Sequence, residues 1–195
     1  MLALVVPLPF ARRGFALPIL FRLYRSERQC VATGATFRKK TELAREMLDL
    51  VLGWLAPPER AAARHVLLAI DSGYANATVL HDLPRSVEVL GAMRPDAALA
   101  LAKGVATLSP KTLAADDAVP WERVKATLYG REETVEYKTV QAPWARVCGA
   151  LSLRIVVVRC AVGDLPLRVF FGTDGAREVQ ALLEGYAFTR WPIEV

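Results

Sequence analysis

Two acidic residues frame the chemistry that this chain could carry out. Asp71 ends the apolar run Leu67-Leu68-Ala69-Ile70 and precedes Ser72-Gly73-Tyr74-Ala75-Asn76. The run has strand character, and Asn76 can cap a helix. A carboxylate at the carboxyl end of a buried strand stands where open α/β sheets bind ligands. Hard divalent cations want such oxygen ligands on rigid backbone. The same residues equally describe a strand end followed by the ordinary turn chemistry of Asp and Gly. Glu194 lies 123 residues further along the chain. Tyr186, Arg190 and Glu194 step by four, so a continuous helix would align them on one face. Pro192 either kinks that helix or begins a new one. Neither spacing nor composition establishes that Asp71 and Glu194 meet.

The other candidates are weaker. His65 and His81 read as surface or structural residues. Ser72 sits in no nucleophile elbow. Asp116 and Asp117 fall in a loop and read as solvated. Cys30 adjoins basic residues without a visible thiol partner. Trp121 and Trp144 flank a hairpin, where stacking on bases is possible and packing beneath the hairpin is the simpler expectation.

The elements that must position the two acids alternate in kind. Leu2 to Phe10 is apolar on both faces and reads as a strand central in a sheet. Residues 11–14 read as a turn, and Phe15 to Tyr24 as a second, antiparallel strand interrupted by Pro18. Residues 25–40 read as a basic loop. Leu43, Met47, Leu50 and Trp54 recur at helical spacing from Thr41 until Pro57-Pro58. Strand 65–70, a short helix 76–83 and strand 86–93 follow, an alternation that predicts parallel pairing beside the first hairpin.

Residues 95–150 have another texture. Ala97 to Lys103 has helical character, and Ser109 to Pro120 reads as loop. Residues 122–129 and 132–140 alternate around Gly130 like a hairpin with one wet face. This segment reads as a β-rich insertion between a core first part, 1–94, and a core last part, 151–195. Strands 151–160 and 167–172 join through a turn at Gly163-Asp164. A helix from Asp174 carries the stripe Val179, Leu182, Leu183 and Tyr186.

Composition limits what such a chain can be. At 195 residues it is one domain, with or without an insertion. No stretch approaches the roughly 20 apolar residues of a membrane span. The apolar start lacks a basic leader and a cleavage site, which argues against a signal peptide. Three scattered cysteines suggest a reducing interior without a disulfide framework. The net charge of +5 is uneven. Residues 1–40 hold eight basic side chains against Glu27 alone, whereas the remainder holds 17 basic and 19 acidic. A basic block beside a nearly neutral body suits a polyanion-binding surface, and it also describes an ordinary solvated segment.

Five passages, in order, resemble the DDE transposases of bacterial insertion sequences, in particular the group with a Tyr…Arg…Glu signature. They are Leu17-Pro18-Ile19-Leu20-Phe21-Arg22-Leu23-Tyr24-Arg25, Lys40-Thr41-Glu42-Leu43-Ala44, Asp71-Ser72-Gly73-Tyr74-Ala75, Arg94-Pro95-Asp96-Ala97-Ala98-Leu99, and Arg190-Trp191-Pro192-Ile193-Glu194. The resemblance implies an α/β, ribonuclease-H-like mixed sheet flanked by helices, with the β-rich insertion between the second and third acidic residues. It implies DNA cleavage and strand transfer by two-metal phosphoryl transfer with Mg²⁺ or Mn²⁺. Asp71 would be the second metal ligand and Glu194 the third. Arg190 would touch DNA phosphate or steady the glutamate. Arg22, Arg25, Arg28, Arg38, Lys39, Lys40 and Arg94 would complete the DNA-binding set. The implied partners are transposon-end and target DNA and a homo-oligomer, in bacterial cytoplasm, with no membrane.

The chain departs from that pattern in three places. Residues 1–26 contain no Asp or Glu, so the first metal ligand and its strand are missing. One residue follows Glu194. Tyr186 and Arg190 have three residues between them where the family has two, and a one-residue slip rotates a helical side chain by roughly 100°. The expectation is a fragment truncated at both ends, with weak metal binding and no strand transfer of its own. The alternative is a non-catalytic remnant that binds DNA or inhibits a full-length partner.

Overall fold

The computed structural model describes residues 1–8, 10, 14–55, 65–100, 108–160 and 167–190. The chain folds as α/β, with a mixed six-stranded sheet and a separate two-stranded sheet. The first pair is β1 (Leu2–Pro7) and β2 (Gly14–Leu20), antiparallel, with a register shift between Leu2 and Ala3. β1 is therefore not central in a sheet, as its sequence predicts. Its apolar character names no pairing partner, and among the described residues only β2 is paired with it.

Two short helices stand where the sequence reads as loop. α1 (Glu27–Thr33) starts from a capping box in which Ser26 accepts from the Gln29 amide and Gln29 reaches back to Ser26. It ends at Gly34 in the left-handed region, φ 65°. That reciprocal cap satisfies two helix-end donors and nucleates a short helix that periodicity cannot reveal. α4 (Pro110–Ala115) has the same device between Ser109 and Thr112, with Pro110 in the first turn.

α2 (Lys40–Leu55) leads to β3 (Val66–Ile70), α3 (Ala77–Leu80) and β4 (Val87–Met93). β3 and β4 pair in parallel, as the alternation predicts. Residues 97–100 are not helical, and Leu99 bridges Leu108 instead. The rest of that expected helix, residues 101–103, lies outside the described residues. β5 (Glu122–Leu128) and β6 (Arg131–Pro143) form the expected hairpin. Its tip holds Tyr129 at φ 54° and Gly130 at φ 79°, both left-handed, which matches the twist of a tight hairpin. After α5 (Ala145–Cys148) come β7 (Ser152–Cys160) and β8 (Arg168–Gly172), then α6 (Val179–Arg190). The turn at Gly163-Asp164 lies outside the described residues, as do Trp191, Pro192 and Glu194.

The strand order is β3-β4-β8-β7-β6-β5. The segment read as an insertion thus supplies two strands of the same sheet, β6 pairing with β7 over nine residues. Two cores cover the two faces. One gathers Ile70, Val89, Leu153, Ile155, Val157 and Phe171 under α2, α3 and α4. The other gathers Leu90, Val156 and Val158 under Leu182, Leu183 and Tyr186 of α6. Leu153, Ile155, Val156 and Val157 are wholly buried on alternating faces of β7, as a strand covered on both sides requires.

Candidate functional site

Asp71 stands one residue beyond the carboxyl end of β3. Its Oδ1 accepts the amides of Gly73 at 2.9 Å and Tyr74 at 3.2 Å, and its carbonyl accepts from Tyr74 and Ala75 at 3.1 Å. The side chain thereby mimics a backbone turn and swings the chain toward α3. A Cβ at Gly73 would come within 3.2 Å of that same oxygen, so the tight turn favours glycine. Asn76 caps α3 by accepting the Val79 amide, as the sequence predicts.

The other carboxylate oxygen meets Arg190. Its Nη2 donates to Asp71 Oδ2 at 3.2 Å, across 119 residues of sequence. α6 thus delivers its last residue to the end of β3. A cation there also suits the negative end of the helix dipole. The Asp71 side chain is 37 % exposed and that of Arg190 19 %, so the pair sits at a rim. Behind it lies a cavity of about 270 Å³, lined by Met47 and Leu48 of α2, by Leu68, Ala69 and Ile70 of β3, and by Met1 and Leu2.

The resemblance implies that Arg190 touches phosphate or steadies Glu194; its guanidinium rests on Asp71. No periodicity signals that contact. Tyr186 is buried and packs on Phe170 at a ring separation of 4.9 Å. Glu194 lies outside the described residues, so its meeting with Asp71 does too. Among the described residues no three His, Cys, Asp or Glu side chains group to hold a metal ion. Asp71 alone does not fit a divalent cation, because two amides and a guanidinium already engage its oxygens.

The basic set is spread over the amino-terminal third. Arg22, Arg25, Arg28, Arg38, Lys39 and Lys40 are all exposed. Arg22 donates to Glu46 at 2.8 Å and Arg38 to the other oxygen of the same carboxylate. The Arg22 hydrogen bond, more than any other cause, holds Glu46 below the usual carboxylate range. Lys40 lies 5.0 Å above the Tyr24 ring. Arg25, Arg28 and Lys39 form no ion pair among the described residues. Arg94 is exposed and forked onto Asp96 at 2.9 and 3.0 Å, so part of its charge is locally balanced.

Trp121 and Trp144 pack, as expected. Trp121 lies between the Lys138 ammonium at 4.9 Å and the Arg159 guanidinium at 4.1 Å. Trp144 meets Phe171 edge-on at 5.9 Å. Among the described residues no helix is long and apolar enough to cross a membrane. Compared with known proteins, the chain matches no family model and no curated protein.

Proposed function

We propose that this chain is a DNA-binding portion of a transposase catalytic domain of the DDE type, with a ribonuclease-H-like ancestry for its mixed sheet. The observation that carries the reading is the convergence of Asp71 and Arg190. Both are residues that the family resemblance picks out, a carboxylate and a cation, and they touch although 119 residues separate them. Arg25, Arg28 and Lys39, exposed and without an ion pair among the described residues, supply a second support, since phosphate contacts need unneutralised Lys and Arg. Metal-dependent cleavage in the family would require Mg²⁺ or Mn²⁺. Among the described residues the donor set does not fit that ion.

A second reading, binding without catalysis, is favoured by the engagement of both Asp71 oxygens. It predicts inhibition of a full-length partner in a mixed transposition assay and no turnover alone.

The test is fluorescence anisotropy of a labelled DNA duplex across a KCl series. Binding weakens steeply with salt, by about 0.9 in log Kd per phosphate contact for each decade. Replacing Arg25, Arg28 and Lys39 together by Gln removes about two to three contacts from that slope. Absence of binding at low salt, or binding indifferent to salt, overturns the reading. A nicking assay with Mn²⁺ then separates the two versions, since robust turnover by the isolated chain excludes the non-catalytic one.

A further inference from the structure

We propose that Arg22 and Arg38 form a phosphate clamp that Glu46 fills as an internal stand-in, so that a nucleic-acid phosphate enters by displacing the carboxylate. The ligand class rests on the DNA reading, and the clamp rests on geometry. Arg22 follows β2 and Arg38 follows α1, so the two reach α2 from either side of α1. Arg22 Nε donates to one oxygen of Glu46 at 2.8 Å, and Arg38 Nη1 donates to the other. Arginine forks hold carboxylate and phosphate oxygens alike, so a site that grips one anion from two sides accepts the other.

The carboxylate is exchangeable. The Arg22, Arg38 and Glu46 side chains are 36, 46 and 30 % exposed, and ion pairs so open to water are held weakly. Arg38 and Glu46 line an open cavity of about 670 Å³ beside α2, so an anion reaches them without unfolding the chain. The arginines also have a frame that does not depend on Glu46. Tyr24 meets Phe37 edge-on at 6.4 Å and lies 5.0 Å beneath Lys40, which joins the residues on either side of α1. The Glu42 carboxylate accepts the Lys39 amide at 2.8 Å and fixes the entry to α2.

The neighbouring ion pair on α2 is built differently. Arg45 donates to Asp49 at 2.8 Å and also to the carbonyls of Val79 and His81. Losing Asp49 therefore releases no arginine, whereas losing Glu46 releases two. Asp49→Asn removes the same charge from the same helix and the same cavity, and so measures what bulk electrostatics alone contribute. In the clamp, two arginines and one glutamate leave a single net positive charge, and Glu46→Gln doubles it.

The experiment measures anisotropy of a labelled DNA duplex across a KCl series, with the full chain and its variants. Glu46→Gln is expected to steepen the dependence of log Kd on log salt by about 0.9, one further released counterion, and to bind about eightfold tighter at about 0.1 M KCl, converging with the parent near 1 M. Asp49→Asn should stay within about twofold of the parent, because an exposed charge that touches no phosphate is largely screened. In the Arg22→Gln/Arg38→Gln background, Glu46→Gln should gain nothing, since the clamp it empties is gone. Weaker or unchanged binding by Glu46→Gln overturns the proposal, and so does an equal gain in Asp49→Asn. Inorganic tripolyphosphate, titrated calorimetrically into the same proteins, separates the clamp from the DNA reading. Tighter tripolyphosphate binding by Glu46→Gln, in a parent that binds no DNA, supports the clamp and overturns that reading. Salt-dependent DNA binding by the parent with no effect of Glu46→Gln on either probe does the reverse.

Discussion

The six-stranded sheet and the amino-terminal hairpin are written in nearly the same apolar alphabet, and they end in opposite situations. In β7, Leu153 and Ile155 to Val157 have no exposure at all. In β1 and β2, Leu4, Phe15 and Leu17 are each more than half exposed and Ile19 is 40 % exposed. The register pairs Leu4 with Leu17 and Val6 with Phe15, so these side chains share one outward face. The opposite face is spent on the body, where a Cβ on Gly14 would press on Val5 and Phe188. Hydrophobicity decides that a strand seeks cover, and neighbours decide whether it gets any. β7 has a strand on each side and a helix layer on each face. A hairpin of two strands has neither, and such units are marginal on their own.

The largest effect that sharpens this contrast comes from emptying one aromatic site in each region. Phe171 is fully buried and packs on Trp144, and its ring lies against Gly91. Phe171→Ala is expected to cost about 3–5 kcal/mol in urea unfolding, because the close-packed sheet cannot collapse into the hole. Phe15→Ala in the hairpin is expected to stay within about 0.5 kcal/mol, as for other exposed sites. Equal losses would break the comparison.

A smaller effect tests what ties the sheet to the helix above it. Glu88 on β4 is buried and accepts both branches of Arg177, at 2.6 and 2.8 Å, just before α6. Arg177→Gln leaves the Glu88 carboxylate without its partner, a loss of about 2–3 kcal/mol for a charge-assisted pair. The double variant Glu88→Leu/Arg177→Leu should recover most of it, since no orphaned charge remains. Equilibrium unfolding of the three proteins decides the point.

Legibility in the sequence followed the same divide. α2, the parallel β3–β4 pair, the β5–β6 hairpin and the apolar stripe of α6 are readable from local pattern, although the α2 stripe is only partly covered, with Met47 buried and Leu50 and Trp54 exposed. α1 and α4 were missed, although Ser26…Gln29 and Ser109-Pro110…Thr112 are capping signals in plain view. Their basic or polar surroundings carried no periodicity to support them. The order of the sheet was not readable, since nothing local tells β4 to pair with β8 across 75 residues or more. The same holds at the candidate site. The Asp71 turn and the Asn76 cap are local and were expected, whereas the Arg190 contact depends on where α6 ends in space.

The smallest effect concerns two carboxylates that do one job in both regions. Glu136 on β6 bridges Arg159 of β7, at 2.7 Å, and Arg123 of β5, at 3.0 Å. Glu46 on α2 bridges Arg22 and Arg38 from either side of α1. The Arg159 hydrogen bond foremost, with that of Arg123, holds the Glu136 carboxyl below its ordinary value of 4.5, and Glu46 is lowered in the same way, led by Arg22. A carboxyl lowered by folding stabilises the protein above its unfolded value, and that contribution is lost as the pH falls through the folded one. Urea midpoints measured from pH 6 down to pH 3 should therefore decline less steeply in Glu136→Gln than in the parent. Glu46→Gln should leave that global slope nearly unchanged, because the segment it fastens has little core to lose. Its signature is local instead, with faster tryptic cleavage after Arg25 and Arg28 at neutral pH. If Glu46→Gln flattened the global slope as much as Glu136→Gln, the amino-terminal region would be unfolding together with the sheet, and the division drawn between them would not stand.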